Sequence, residues 1–171
     1  TNDVIIKKFK AITGIEERRY AKHNYNTSDL AFFAAQKAIK DAKINPETLN
    51  YIIVAHNFGD IKAKSKQFDQ LPSLASRVKY KLGINNPDCI CYDLIFGCPG
   101  WIEGVIQAQA FIKAGMAKKC LVIGAETLSR TYDTSDRDSM IYSDGAGATI
   151  IEKKDNTDNQ GILSHKSCTF S

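Results

Sequence analysis

The run Tyr51-Ile52-Ile53-Val54-Ala55 is apolar at every position, with no polar alternation. A strand with one solvated face alternates, whereas an unbroken apolar strand is buried on both faces, the habit of parallel sheets covered by helices on each side. Cys89 to Leu94, Leu121 to Ile123 and Ala146 to Ile151 read as further strands. The stretches between them carry helical spacing instead. Leu30, Phe33, Ala34, Ala38 and Ala42 recur at helical intervals and mark one buried face. That helix starts at an N-cap, Thr27 or Ser28, with Asp29 favouring the first turn, and Asn45-Pro46-Glu47 ends it. Pro72 opens a second helix that runs to Leu82 and is closed by Gly83. A third opens at Gly97-Cys98-Pro99-Gly100, presents Ile102, Val105, Ile106, Ala110 and Ala114 as its apolar side, and stops at Gly115. Val4 to Phe9 is a short amphipathic piece before the turn Thr13-Gly14, and the polar, Lys-rich stretch from Asp60 to Gln70 reads as a loop. Strands alternating with helices predict an α/β fold built on a mostly parallel sheet flanked by helices, with right-handed crossovers.

Composition narrows the function classes. A chain of 171 residues falls in the one-domain range of about 100–200 residues. Its net charge of +4 comes from scattered Lys and Arg residues, which is solvated surface rather than a nucleic-acid footprint. Nothing has the spacing of a DNA- or RNA-binding motif, so no nucleic-acid partner is expected. The five cysteines are an odd number, and Cys91, Cys98 and Cys120 lie in or beside apolar runs. That pattern fits free thiols in a reducing compartment. Cys89, Cys91 and Cys98 lack the C-x2-C pairing of a zinc site. No apolar run approaches the roughly 20 residues of a membrane span, and there is no signal peptide. The expected location is cytoplasmic.

The sharpest chemistry lies in Asp93-Leu94-Ile95-Phe96-Gly97-Cys98-Pro99-Gly100-Trp101. Ligands of open parallel sheets bind at the carboxyl ends of the strands. Cys98 falls just past such an end and at the start of a helix, where unsatisfied amides and the helix dipole favour a thiolate. Pro99 has no N–H to waste at the first helical position, and Gly97 and Gly100 leave room for a substrate to approach the backbone. A thiolate so placed suits covalent acyl transfer. From position alone, Cys98 is equally readable as a small residue packed under the sheet.

Three further segments bear on that choice. Ile12-Thr13-Gly14-Ile15-Glu16-Glu17-Arg18-Arg19-Tyr20-Ala21 resembles the T-G-I-x-E-R segment of ketoacyl synthase III enzymes. Gly124-Ala125-Glu126-Thr127-Leu128-Ser129-Arg130-Thr131 is similar to their G-[SA]-[DE]-x-L-[SA]-R segment, and Asp136-Arg137 with Ser143-Asp144-Gly145-Ala146-Gly147-Ala148 to their D-R…G-D-G-A-G-A run. All stand in family order, with Cys98 where the family has its active-site cysteine. The resemblance spans nearly the whole chain.

It implies a thiolase-like fold of two similar halves, each a five-stranded mixed sheet flanked by helices. Residues 1–171 then correspond to the amino-terminal half-domain, with the family's first strand expected before Thr1 and the carboxy-terminal half expected after Ser171. The implied reaction is a decarboxylative condensation: Cys98 takes an acyl group from an acyl thioester and passes it to the carbanion of a malonyl-carrier thioester. The substrate is acyl-CoA or an acyl-carrier thioester, no cofactor is held permanently, and an acyl carrier protein is a partner. The family's catalytic His and Asn belong to the second half, and His23, His56 and His165 match neither. His56 follows a strand end and is the one alternative base within the chain.

The resemblance also assigns contacts with substrate. Arg137 matches an arginine that touches the CoA adenine, with a surface ion pair as its other reading. Lys8 and Ile12 stand where the family has the Trp and Arg of the adenine clamp. Asn57 and Leu128 match positions near the acyl-pantetheine tunnel, and Leu71 a residue contributed to the partner subunit's acyl pocket. Trp101 replaces the Phe that commonly follows the Cys motif, on the substrate side or in the core. The family forms a homodimer by antiparallel pairing of the strand Cys89–Leu94 with its twin. Two other readings stand beside this one: a non-catalytic homologue that only dimerises, and a cysteine hydrolase using a His of this chain near Cys98.

Overall fold

The four expected strands form one sheet in the order β4-β1-β5-β6. The structure, a computed structural model, describes residues 2–65, 67–133, 135–154 and 161–170. Strand β1 (Tyr51–His56) lies between β4 (Ile90–Ile95) and β5 (Lys119–Thr127), parallel to both. Strand β6 (Asp144–Glu152) runs antiparallel to β5, from Lys119 opposite Glu152 to Thr127 opposite Asp144. The sheet is therefore mixed and mostly parallel. Its central strand β1 is buried along nearly its full length, as an unbroken apolar run requires. Strand β4 begins one residue later than expected and is only half-buried, because it forms an edge.

Helices α2 (Thr27–Ala42) and α3 (Leu74–Leu82) cover one face, against Ile52, Val54, Leu121 and Ile123. Helix α4 (Gly100–Lys113) covers the other, against Val122 and Cys120. Helix α1 (Asn2–Thr13) contains the amphipathic piece, with Val4, Ile5 and Ile6 exposed and Phe9 half-buried beneath the Arg18 guanidinium, 5.4 Å from its ring centroid. Gly14 follows with φ 68°.

Several local expectations are corrected. The N-cap of α2 is Asn26, in extended conformation, with its N–H donated to Asp29 at 2.8 Å. Thr27 and Ser28 are instead buried inside the first turn: the Thr27 hydroxyl meets that of Thr127 at 2.8 Å, and Ser28 donates its N–H and hydroxyl to Asp60, each at 2.7 Å. The buried face of α2 carries Ala31 and Ala35, while Phe33 and Ala42 are exposed. The helix ends on Lys43, whose φ is 52°, before the Pro46–Thr48 turn. The stretch from Asp60 to Gln70 is not plain loop; β2 (Asp60–Ile61) and β3 (Phe68–Asp69) form a small antiparallel hairpin. Its polarity is used internally, since Arg77 reaches Asp60 at 2.8 Å and Asp69 at 2.6 Å. Pro72 follows a cis peptide bond and does not enter α3. Ser73 is the N-cap, accepting the Ser76 N–H at 3.1 Å.

The expected apolar side of α4 points mostly away from the sheet. Gly100, Gly104 and Ala108 are buried, whereas Ile102, Ala110 and Ala114 are exposed. Small residues let the helix axis approach the strands closely. A Cβ on Gly104 would stand 2.9 Å from Val122 Cγ1 and 3.6 Å from Ile53 Cγ2. Gly104→Ala should gain about 1 kcal/mol of helix propensity and lose about 1–3 kcal/mol to overpacking. Val122 is fully buried and stiff at χ1, so it cannot yield and the packing loss should dominate. A lowered urea midpoint at constant slope is the expected result; an unchanged or raised midpoint contradicts it.

Candidate active site

The turn Phe96–Pro99 carries the chain from the end of β4 into α4. Gly97 adopts φ 91°, a conformation costly for other residues, and its carbonyl accepts the Gly100 N–H at 3.0 Å. Pro99 is the N-cap rather than the first helical residue, and its carbonyl takes the Glu103 N–H at 3.1 Å. Cys98 precedes the cap and is exposed. It therefore sits at the carboxyl-end rim of the sheet beside the free amides of a helix start. Gly100 does not serve substrate access: a Cβ there would lie 3.1 Å from Ala55 Cβ, so its role is to seat α4 on β1. Trp101 is seated over β5, where a Cβ on Gly124 would lie 3.3 Å from Trp101 Cβ, and the residue stays 39% exposed. It is neither wholly core nor free.

Side chains alternate along a strand. Ala55 and Gly124 face α4, so Asn57 and Glu126, two residues on, fall on the same face just beyond the helix start. The structure joins them. Glu126 Oε1 accepts both the Asn57 N–H and its Nδ2–H, the latter at 2.7 Å. Glu126 Oε2 is enclosed and has no hydrogen-bond partner among the described residues. Burial pushes the Glu126 carboxyl above the usual carboxylate range, against the pull of the Asn57 donors.

His56 belongs to the opposite face. The Gly59 N–H donates to its Nδ1 at 3.0 Å, which leaves the ring proton on Nε2, 2.9 Å from Asp93 Oδ2. Asp93 in turn accepts the Leu74 and Ala75 N–H groups at 2.7 and 2.8 Å. A carboxylate there satisfies the first turn of α3 and opposes its dipole. His56 thus holds a helix in place, is buried, and is turned away from Cys98. His23 and His165 are exposed.

Leu128 opens the short turn Leu128–Arg130 after β5 and is half-buried. Leu71 is 85% exposed between β3 and α3. Lys8 and Ile12 are exposed on α1. Arg137 begins the turn Arg137–Ile141, and its side chain lies outside the described part of the structure. Cys89 and Cys91 lie at the start of β4 and Cys98 beyond its end, so the structure does not bring these three thiols together.

Two residues that sequence reasoning did not single out tie the motif segments together. Asp144 accepts the Ala21 N–H at 2.7 Å, the Ser129 N–H at 2.9 Å and the Ser129 hydroxyl at 2.7 Å. Arg130 donates to Asn26 Oδ1 at 3.0 Å, to the Lys22 carbonyl at 3.1 Å and to the carbonyls of Tyr25 and Ile61. Both lie inside the family-like segments, which was the only signal; apart from Ser129, their partners are 69 to 123 residues away along the chain.

The model of the family 3-oxoacyl-[acyl-carrier-protein] synthase III matches residues 92–169. The chain is 43% identical over 157 residues to the beta-ketoacyl-[acyl-carrier-protein] synthase III of Neisseria gonorrhoeae, covering 91% of this chain and 45% of that protein. The synthase III of Staphylococcus haemolyticus is 38% identical over 167 residues, covering 97% of this chain and 49% of that one. Among solved structures, the 3-oxoacyl-[acyl-carrier-protein] synthase III of Aquifex aeolicus superposes with a TM-score of 0.76 at 34% identity, over 87% of this chain and 46% of that one. The Thermus thermophilus synthase III gives 0.68 at 37% identity, over 82% and 41%. The chain spans about half the length of these relatives, and over that span it is similar in sequence, and in its thiolase-like fold, to the β-ketoacyl-acyl-carrier-protein synthase III proteins.

Proposed function

We propose that this chain is the nucleophile-bearing, amino-terminal half of a condensing acyltransferase, with Cys98 as its acyl acceptor. The observation that carries the reading is an exposed thiol held at the strand rim by a helix seated on small residues, inside the segment that the family model matches. In the first step the Cys98 sulfur attacks the carbonyl of acyl-CoA or an acyl-carrier thioester. The thioester C–S bond breaks, and the departing thiolate takes up the proton that Cys98 has lost. In the second step a malonyl-carrier thioester loses CO2, its carbanion attacks the acyl-Cys98 carbonyl, and the Cys98 thiolate leaves. The first-turn amides of α4 favour negative charge on that sulfur. No resident cofactor enters this scheme.

Asn57 and Leu128 flank the thioester site in this reading, Arg137 meets the CoA adenine, Trp101 borders the acyl group, and Leu71 reaches the pocket of a second copy across a dimer made by β4. The acyl carrier protein named for the relatives is the expected partner. No helix among the described residues is long and apolar enough to cross a membrane, and a cytoplasmic setting suits both substrates. A hydrolase using His56 is disfavoured because both ring nitrogens are engaged on the other face of the sheet.

Limited alkylation at neutral pH, followed by peptide mapping, tests the assignment. Cys89 and Cys120 are buried, and burial pushes the Cys120 thiol up to about 12. The neighbouring Cys89 and partial burial also push Cys91 up. Cys168 is exposed without a helix start beside it. Cys98 should be labelled first. Preferential labelling of Cys168, Cys89 or Cys120 would count against it as the nucleophile.

A further inference from the structure

The pair Asn57 and Glu126 lies at the carboxyl ends of β1 and β5, on the rim from which the Cys98 turn leaves β4. Its placement follows from the contacts of the preceding residues. Gly100 rests on Ala55 and Trp101 on Gly124, and Asn57 and Glu126 continue the same two side-chain rows towards the rim. One carboxyl oxygen takes two donors from one residue, a backbone N–H and a side-chain N–H. The first fixes where the chain leaves β1, and the second fixes the Asn57 rotamer. The other oxygen is enclosed without a partner among the described residues. Hydrogen bonds to an ionised group are the strong ones, and a buried carboxylate that loses its donors bears the full cost of desolvation. Asn57 therefore cannot turn away without stranding Glu126, and the two behave as one unit.

We infer that Glu126 is a positioning residue for acyl loading: by gripping Asn57 through both N–H groups, it fixes the wall of the thioester site beside Cys98. The inference rests on the reading of Cys98 as the acyl acceptor. Burial, which raises the Glu126 carboxyl, makes the grip more dependent on the two Asn57 donors. A carbonyl oxygen accepts the same two bonds, so the amide of glutamine should preserve the geometry where alanine cannot.

The chain is incubated with acetyl-CoA, and Cys98 acylation is followed by intact mass alongside its alkylation by iodoacetamide. Glu126→Ala should slow acylation by about ten- to a hundredfold, the loss expected when a reacting pair is held about 1 Å out of place. Alkylation should stay within about twofold, since a small reagent needs no wall. Glu126→Gln should keep most of the rate. Asn57→Ala should reproduce the loss, and the double substitution should add nothing to it, because the residues act through one contact. Asn57→Ala also tests the idea should Glu126→Ala fail to fold. Acylation of Glu126→Ala and Asn57→Ala at the parental rate overturns the inference. Equal losses in acylation and alkylation overturn it too, because the effect would then lie on the thiol itself, as do losses that multiply in the double variant. If the parent protein is alkylated at Cys98 but never acylated there, the acyl-transfer reading fails first and the inference falls with it.

Discussion

Purified as 171 residues, the chain is expected to load acyl groups onto Cys98 yet to form carbon–carbon bonds at least about 10²–10³-fold more slowly than a complete synthase III, the cost typical of losing a single oxyanion donor. The two steps make different demands. Loading is a thiol–thioester exchange, for which the rim thiol and the amides of α4 supply the nucleophile and a favourable field. Condensation requires groups that stabilise the enolate released by decarboxylation, and the family resemblance places the responsible His and Asn outside these residues. The chain's own histidines are not expected to substitute. His56 points to the α3 side and is bound at both nitrogens. His23 lines a cavity of about 620 Å³ with Tyr20, Lys64, Arg130 and Tyr132, and His165 is exposed near the end of the chain. The check supplies acyl-CoA and malonyl-carrier thioester and follows the 3-oxoacyl product, with and without the carboxy-terminal half of a relative added. Product formed by the chain alone at a synthase-like rate sinks the expectation and would direct attention to Asn57 and Glu126 as the polar groups facing α4.

The strands were legible because apolar runs that must be buried on both faces leave no other reading; Tyr51–His56 is the clearest. The helix faces were less legible. The sequence pattern weights large apolar residues, yet α4 buries Gly100, Gly104 and Ala108 and leaves Ile102 exposed, since close approach to a sheet favours what is small. The cap of α2 was misplaced by one or two residues for a related reason. Asn26, Thr27 and Ser28 are all good caps, and only tertiary contacts with Thr127 and Asp60 assign the latter two elsewhere. At the site, Cys98 was visible through its strand-turn-helix setting, whereas the partnership of Asn57 with Glu126 joins positions 69 residues apart. No local pattern encodes it. The same holds for Asp93, which a strand reading leaves as an isolated acid and which the structure shows accepting the Leu74 and Ala75 N–H groups in the first turn of α3.

Strand β4 is expected to make the protein a two-fold homodimer, and a lysine on it to shift the protein towards monomer. Among the described residues the strand pairs on one side only, with β1, and its other edge of N–H and C=O groups is open. Neither Lys nor Pro interrupts Ile90–Ile95 to blunt that edge. Ile90 and Ile95 are 49% and 61% exposed, and Phe96 next to them 46%, so apolar surface lies along the same edge. An antiparallel pair about a two-fold axis makes the contact isologous, so each substitution enters it twice. Tyr92→Lys would place like charges near one another across the pair, which is destabilising. That substitution also removes the Tyr92 hydroxyl bond to Gln107 Oε1, 2.8 Å long, and could loosen α4. Ile90→Lys makes the same test at a more exposed position, and Tyr92→Phe isolates the loss of the hydroxyl. Sedimentation should show both lysine variants dissociating at concentrations where the parent and Tyr92→Phe remain dimeric. Lysine variants that stay dimeric with parental affinity would place the interface elsewhere. Growth of the parent into larger species, unaffected by either lysine, would assign association to the exposed apolar side of α4 around Trp101 and Ile102 instead.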